Sequence, residues 1–211
     1  VDYDIIQSAP KIVNRSGICE IMCYHTGHLD WKYSTDQNKC EPKWSYDQKM
    51  VDEARSVLAY LLDYIKDYYP NPKFSYRFVL LPETIGSISY LSKYKNFLKK
   101  NVICGYNLTC LGDKGNFSFI ESRNGKTLAD SAIESSLRDY KKYKKYSYLH
   151  RASDERQYCS PGIDLPLCSF SRSLNYKEYH TDKDNLKIVS QKNLEESLEV
   201  LKNIIIAIEL G

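Results

Sequence analysis

Runs of nearly continuous apolar residues alternate along this chain with segments of helical period, and that alternation restricts it to an α/β fold on a largely parallel sheet. Parallel strands are covered on both faces, so they read as unbroken apolar stretches rather than as alternating ones. Residues 17–24 (GICEIMCY), 74–81 (FSYRFVLL) and 101–111 (NVICGYNLTCL) fit that description, with shorter strands expected over 116–120 and 165–170. Between them Ala54, Leu58, Leu61, Leu62 and Ile65 recur at three- and four-residue spacing, predicting a helix over 52–66 that Pro70 and Pro72 stop. Residues 85–95, the stripe Leu128, Ala132, Ile133 and Leu137, and the stripe Leu194, Leu198, Leu201, Ile205 and Ile208 predict three more helices. The basic, Tyr-rich tract 138–145 reads as a solvated helix end.

Residues 31–50 break the pattern. They are polar, hold both tryptophans, and show neither period, so they are expected to form a long inserted loop in a single domain spanning 1–211. An excess of only three positive charges requests no polyanionic partner, and neither nucleic acid nor membrane is expected to bind. No apolar run approaches the about 18 residues that span a bilayer. The first residues lack the charged and apolar segments of a leader and lack a starting Met, which suggests a mature, trimmed or excerpted chain. Seven cysteines, dispersed through apolar runs, are expected to be reduced, buried thiols of a cytoplasmic protein. The abundance of Tyr, Lys, Ile and Asn suggests an AT-rich bacterial genome.

Chemistry is concentrated where the strands end. His25, His28 and Asp30 follow the first strand, and a His with a carboxylate two residues on suits a metal ligand and its support, as well as ordinary capping. Asp52 is expected to open a helix, where a carboxylate also stabilises the helix end by about 0.3–1 kcal/mol with no further role. Glu83 follows the second long strand, at the carboxyl edge where open parallel sheets bind ligands. A polar loop holding Asp154, Glu155 and Arg156 precedes the last strand, and His180 follows it. Cys159 as a nucleophile is a weaker reading, and His25 and His150 suit structural or solvated positions.

The phrases PETIGS at 82–87, DERQYCSPG at 154–162 and EYHT at 178–181 resemble a bacterial aminopeptidase-like branch of the zinc-dependent aminopeptidase and glutaminyl cyclase superfamily. The resemblance covers about residues 18–201 and leaves the loop at 31–50 unmatched. It implies a three-layer α/β/α sandwich around a mostly parallel mixed sheet, with metal at the carboxyl edge. It implies His28 and His180 as zinc ligands, Asp30 as the support of His28, and Asp52 as the carboxylate ligand, with Asp47 a rival. Glu83 matches the general base, and Asp154, Glu155 and Arg156 match the substrate side of the pocket. Relatives of this branch carry additional domains, which leaves a longer parent chain open.

Two positions depart from the two-zinc pattern. Thr84 stands where a second Glu follows the base, and Thr109 where a strand-end Asp is found. A hydroxyl is a poor zinc ligand, so one zinc is expected, held by three side chains with a fourth position for water. The implied activity is aminopeptidase or related amide hydrolysis of a peptide or small amide, with Glu83 taking the proton of an activated water. A metal-poor, non-catalytic peptide-binding module and a glutaminyl-cyclase-like transferase are the alternatives.

Overall fold

The computed structural model describes residues 17–25, 29–30, 43–44, 48–174, 176–179, 181 and 183–211, and for Ile18, Glu20 and residues 22–25, 29–30, 43–44 and 48–56 the description is of the backbone. In chain order the elements are β1 (Ile18–His25), β2 (Leu29–Asp30), β3 (Lys43–Trp44), α1 (Gln48–Tyr68), β4 (Ser75–Pro82), α2 (Ile85–Asn101), β5 (Val102–Leu108), β6 (Ser118–Ile120), α3 (Leu128–Leu137), β7 (Lys144–Tyr146), α4 (Glu155–Tyr158), β8 (Leu167–Ser171) and α5 (Gln191–Leu210). Six strands form one sheet in the order β4-β1-β5-β8-β6-β7. The first four are parallel, β6 runs against β8, and β7 runs with β6. This is the mixed, mostly parallel α/β sheet expected from the strand and helix alternation. The carboxyl ends of β4, β1, β5 and β8 therefore share one edge.

Side-chain alternation sends successive residues of a strand to opposite faces. On β4, Tyr76, Phe78 and Leu80 join a core that also contains Leu61 of α1, Ile133 of α3 and Ile204 of α5. Val79 and Leu81 join a second core with Tyr90, Leu91 and Leu98 of α2 and Tyr158 and Cys159 beside it. Helices α1, α3 and α5 thus cover one face and α2 and α4 the other. In α5, Ile204, Ile205 and Ile208 are all at most 1% exposed. At about 1.5–3 kcal/mol per fully buried aliphatic side chain, packing rather than propensity holds this helix. Helix α3 begins on a reciprocal cap, in which the Thr127 side chain accepts from Asp130 N and the Asp130 carboxylate accepts from Thr127 N.

Four details differ from the sequence expectation. Helix α1 begins at Gln48, so Asp52 is the fifth helical residue rather than the opening one. Gln, Lys and Met are good helix formers and extend the helix into the stretch expected as loop, and Asp52 lies beyond the first turn where a helix end favours a carboxylate. Strand β3 also lies within that stretch and pairs antiparallel with β2, which precedes it. Helix α2 continues to Asn101, past the expected stop at Lys95, because Leu98 is fully buried and holds its last turns down. The tract 138–145 is not a helix end: α3 stops at Leu137 and Lys144–Tyr146 forms the edge strand β7. Phe119 and Tyr143 stack with ring centroids 6.3 Å apart, which docks the tract, while Lys144 and Lys145 protect the open edge.

Among the described residues Cys19, Cys104, Cys159 and Cys168 are buried free thiols, as expected, and Cys110 is a half-buried one. No helix among the described residues is long and apolar enough to cross a membrane.

Candidate active site

Strand β4 delivers Glu83 to the carboxyl edge, and α2 starts two residues later. So abrupt a reversal needs an unusual backbone. Thr84 has φ 62° and ψ −67°, and Ile85 N donates to Glu83 O at 2.7 Å, which makes residues 83–85 a γ-turn of the rarer, positive-φ form. For a β-branched residue this conformation costs about 1–3 kcal/mol and persists only where neighbours enforce it. Asp154 enforces it: its carboxylate accepts from Thr84 N at 2.8 Å and from Ser87 Oγ at 2.5 Å, and the residue is fully buried. Gly86 is required at the same turn, since a Cβ there would lie 2.8 Å from Pro82 Cδ and 3.0 Å from Leu81 Cβ.

Glu83 itself is half-buried, and its Oε1 accepts from Ser153 Oγ at 2.8 Å. Ser153 is held in turn by Glu155, whose Oε1 accepts from Ala152 N at 2.6 Å and Ser153 N at 2.9 Å. The other oxygen of Glu155 accepts from Asn107 Nδ2 at 3.0 Å. Asn107 is fully buried on β5 and also donates to Ser169 Oγ of β8 at 3.3 Å, while its Oδ1 has no partner among the described residues. A path of hydrogen bonds therefore runs from the centre of the sheet through Glu155 and Ser153 to Glu83. Asp154 and Glu155, expected on the substrate side of the pocket, are fully buried, with carboxylates engaged by these interior donors. Arg156 is exposed, and its Nε donates to Ser153 O at 3.0 Å.

Of the expected metal ligands, His28 and His180 lie outside the described residues, and so does the rival Asp47. Asp30 and Asp52 are described by their backbone alone, in β2 and α1. Two described chain neighbours, His25 and Tyr179, lie near Glu83. The register of β1 on β4 sets His25 beside Pro82, the residue before Glu83. Tyr179, one residue before His180, is close enough to Glu83 to feel its charge: burial, then Cys110 and Glu83, push the phenol above its ordinary value. Thr109 follows β5 at the same edge, its N donating to Phe170 O at 3.2 Å and its Oγ1 3.4 Å from Cys110 Sγ. Among the described residues no group of three or more His, Cys, Asp or Glu is placed to hold a metal ion.

Sequence reasoning passed over Ser153, Ser87, Asn107 and Tyr179. Asn107 left the clearest trace, a polar amide in the middle of an apolar strand, which a fold tolerates only where it has partners. Ser87 and Ser153 left none, because a serine beside a carboxylate is commonplace in loops and helix starts.

Comparison with known proteins places these features in context. A curated protein of Clostridium acetobutylicum, "Putative polysaccharide biosynthesis protein with aminopeptidase-like domain", is 33% identical over 188 residues, covering 88% of this chain. The chain spans 42% of that relative's length. Among solved structures, a "putative peptidase" of Clostridium acetobutylicum is 28% identical with a TM-score of 0.71, covering 92% of this chain and 42% of that one. A zinc aminopeptidase from Bacillus subtilis has a TM-score of 0.69 at 12% identity, over 93% of this chain and 47% of that one. A glutaminyl cyclase from an Acidobacteriales bacterium has a TM-score of 0.67 at 13% identity, over 93% and 71%. The last two likenesses establish the fold, an aminopeptidase-like α/β sheet flanked by helices. Residues 39–211 match the family described as Domain of unknown function (DUF4910), and the chain belongs to that family.

Proposed function

We propose that this chain carries the catalytic machinery of a zinc-dependent aminopeptidase or related amide hydrolase acting on a peptide or small amide. The observation that carries the reading is Glu83: a carboxylate at the carboxyl edge of the sheet, on a strained turn and fixed by Ser153. Strained non-glycine backbone held by a buried carboxylate is the kind of feature that clusters at functional sites. The fit of a metal rests on donor chemistry and is supported by the position of His25 beside Pro82. His28, Asp52 and His180 offer two imidazoles and a carboxylate, a three-ligand set that suits zinc with an open position, and Asp30 would orient His28. Zinc, when bound, supplies an acidified water and an electrophile for the substrate carbonyl.

The remaining steps belong to the chain. Ser153 occupies one oxygen of Glu83 and leaves the carboxylate to take a proton from the attacking water and return it to the leaving amine. Asp154 and Glu155 act as positioning residues, the first locking the turn that aims Glu83 and the second holding the serine that steadies it. Glu83→Gln tests the reading: zinc content and fold stay, and turnover of aminoacyl substrates by the zinc-loaded protein falls by about 100-fold or more. Unchanged turnover removes Glu83 from the mechanism.

Thr84 and Thr109, which stand where two-zinc relatives have carboxylates, favour a second reading: a metal-poor module that binds peptides without cleaving them. Protein that stays folded, takes up no zinc and still binds peptides supports it. A cyclase-like transferase would need the same groups, and conversion of peptides with N-terminal Gln separates it from hydrolysis.

A further inference from the structure

A second concavity, which Glu83 does not line, begins at Arg156, whose Nε donates to the carbonyl of Ser153. Its walls are the segments that follow β6 and β7, together with the end of α4 and the residues after it. Strands β6 and β7 run against β8, so both leave the sheet at the edge opposite to Glu83. The third wall runs from Arg156, beside the segment that holds Glu83, to Cys159, whose Sγ donates to the carbonyl of Leu167, the first residue of β8. The cleft holds about 730 Å³, within the range of about 300–1,000 Å³ typical of small-molecule sites.

Its lining is chemically one-sided. Arg123, Arg151 and Arg156 contribute three guanidinium groups against the single carboxylate of Glu121, which Lys145 already engages at 2.9 Å. Arg123 is paired with Asp164, which fixes it at the rim. Neither Arg151 nor Arg156 has a carboxylate partner among the described residues, although both are exposed. Arg156 donates from Nε to Ser153 O at 3.0 Å, and its two terminal nitrogens bond no carboxylate among the described residues. Arg151 lies over the ring of Tyr148, 5.1 Å from its centroid, which orients its planar fork. Beside these cations stand apolar surfaces, the Tyr148 ring and a Leu149 that is 81% exposed.

We propose that this cleft is a binding site for a small organic anion, one that sets a carboxylate or phosphate on Arg151 and Arg156 and rests an apolar or ring portion on Tyr148 and Leu149. Arginine forks bind both oxyanions in bidentate fashion, so the anion class is shared and the head group is settled by experiment. Titration calorimetry on the full chain uses phenyl phosphate, 3-phenylpropionate, inorganic phosphate and uncharged phenol as probes. One of the two ring-bearing anions binds saturably and more tightly than inorganic phosphate, and phenol does not bind. Affinity drops at least tenfold in Arg151→Gln and in Arg156→Gln and severalfold in Arg151→Lys, which keeps the charge but loses the fork. It is unchanged in Lys142→Gln, at a basic patch elsewhere. Arg156→Gln also loses a backbone contact, so Arg151→Gln, whose contact is with a neighbouring ring, decides the matter if the first variant is unstable. Absence of saturable binding by both ring-bearing anions, or an equal loss in Lys142→Gln, overturns the proposal.

Discussion

Asp154 and Thr84 are 70 residues apart in the chain, yet the carboxylate of one holds the backbone N–H of the other at 2.8 Å and so fixes a non-glycine residue with positive φ beside the proposed base. Asp154→Asn removes the charge from the acceptor of Thr84 N and turns the Ser87 contact into one in which the hydroxyl must accept, so both hydrogen bonds weaken. We expect a loss of about 1–3 kcal/mol in urea denaturation, together with a fall in turnover. An unchanged midpoint would show that the turn is stable without this brace.

Ser153 touches Glu83 without being a proton donor in the proposed reaction. Ser153→Ala is expected to lower kcat roughly tenfold with KM steady, in line with the loss of one hydrogen bond to a charged group. Ser153→Thr, which keeps the hydroxyl, should restore most of it. A change confined to KM would assign Ser153 to substrate binding instead.

Thr84 and Thr109 are proposed to limit the site to one zinc. The double variant Thr84→Glu/Thr109→Asp should raise the zinc bound per chain from one ion to two, read by elemental analysis after dialysis. Stoichiometry that stays at one locates the limit elsewhere, for instance at Asp52.

Acid stability has an identifiable source in Asp130. Burial opposes its charge, but hydrogen bonds from the side chains and backbone of Ser122 and Thr127 outweigh burial and hold its pKa below the ordinary 3.8. A carboxylate with a depressed folded-state pKa contributes stability above its unfolded value and loses it as pH falls through the folded one. The urea midpoint should therefore drop below about pH 4, and Asp130→Asn should flatten that drop while lowering the midpoint at pH 7. An Asn variant with the wild-type acid profile would assign the acid sensitivity to other groups.

The buried thiols are expected to be chemically silent. Burial pushes Cys159 up to about 12 and Cys168 above its usual range, and both donate to interior acceptors. Iodoacetamide at pH 8 should label neither until the protein is unfolded, and Cys159→Ser should leave turnover intact. Rapid native-state labelling of Cys159 would revive it as a nucleophile.

The strand and helix alternation was legible in the sequence because parallel strands must be apolar on both faces and each helix needs a stripe to pack on them. The carboxyl-edge position of Glu83 followed from the same logic, since β4 ends at a proline and a helical period resumes at once. The start of α1 was missed because helix propensity at 48–51 carries no apolar stripe, and β7 was missed because an edge strand of three residues, pairing on one side, needs no apolar pattern.

What the sequence determined by itself is therefore the α/β alternation on a mostly parallel sheet and the place of Glu83 just beyond a strand's carboxyl end, both of which follow from local periodicity. What only the tertiary structure decided is how that residue is held. Asp154, Glu155, Ser153 and Asn107 are ordinary polar residues in sequence, and nothing local says which carboxylates face solvent and which are buried. That outcome depends on α4 folding back over the carboxyl ends of β4 and β5, which brings donors 48 to 70 residues distant within hydrogen-bonding range. Hydrogen bonds of this kind are set by distance and angle in space, and a one-dimensional pattern holds no record of them.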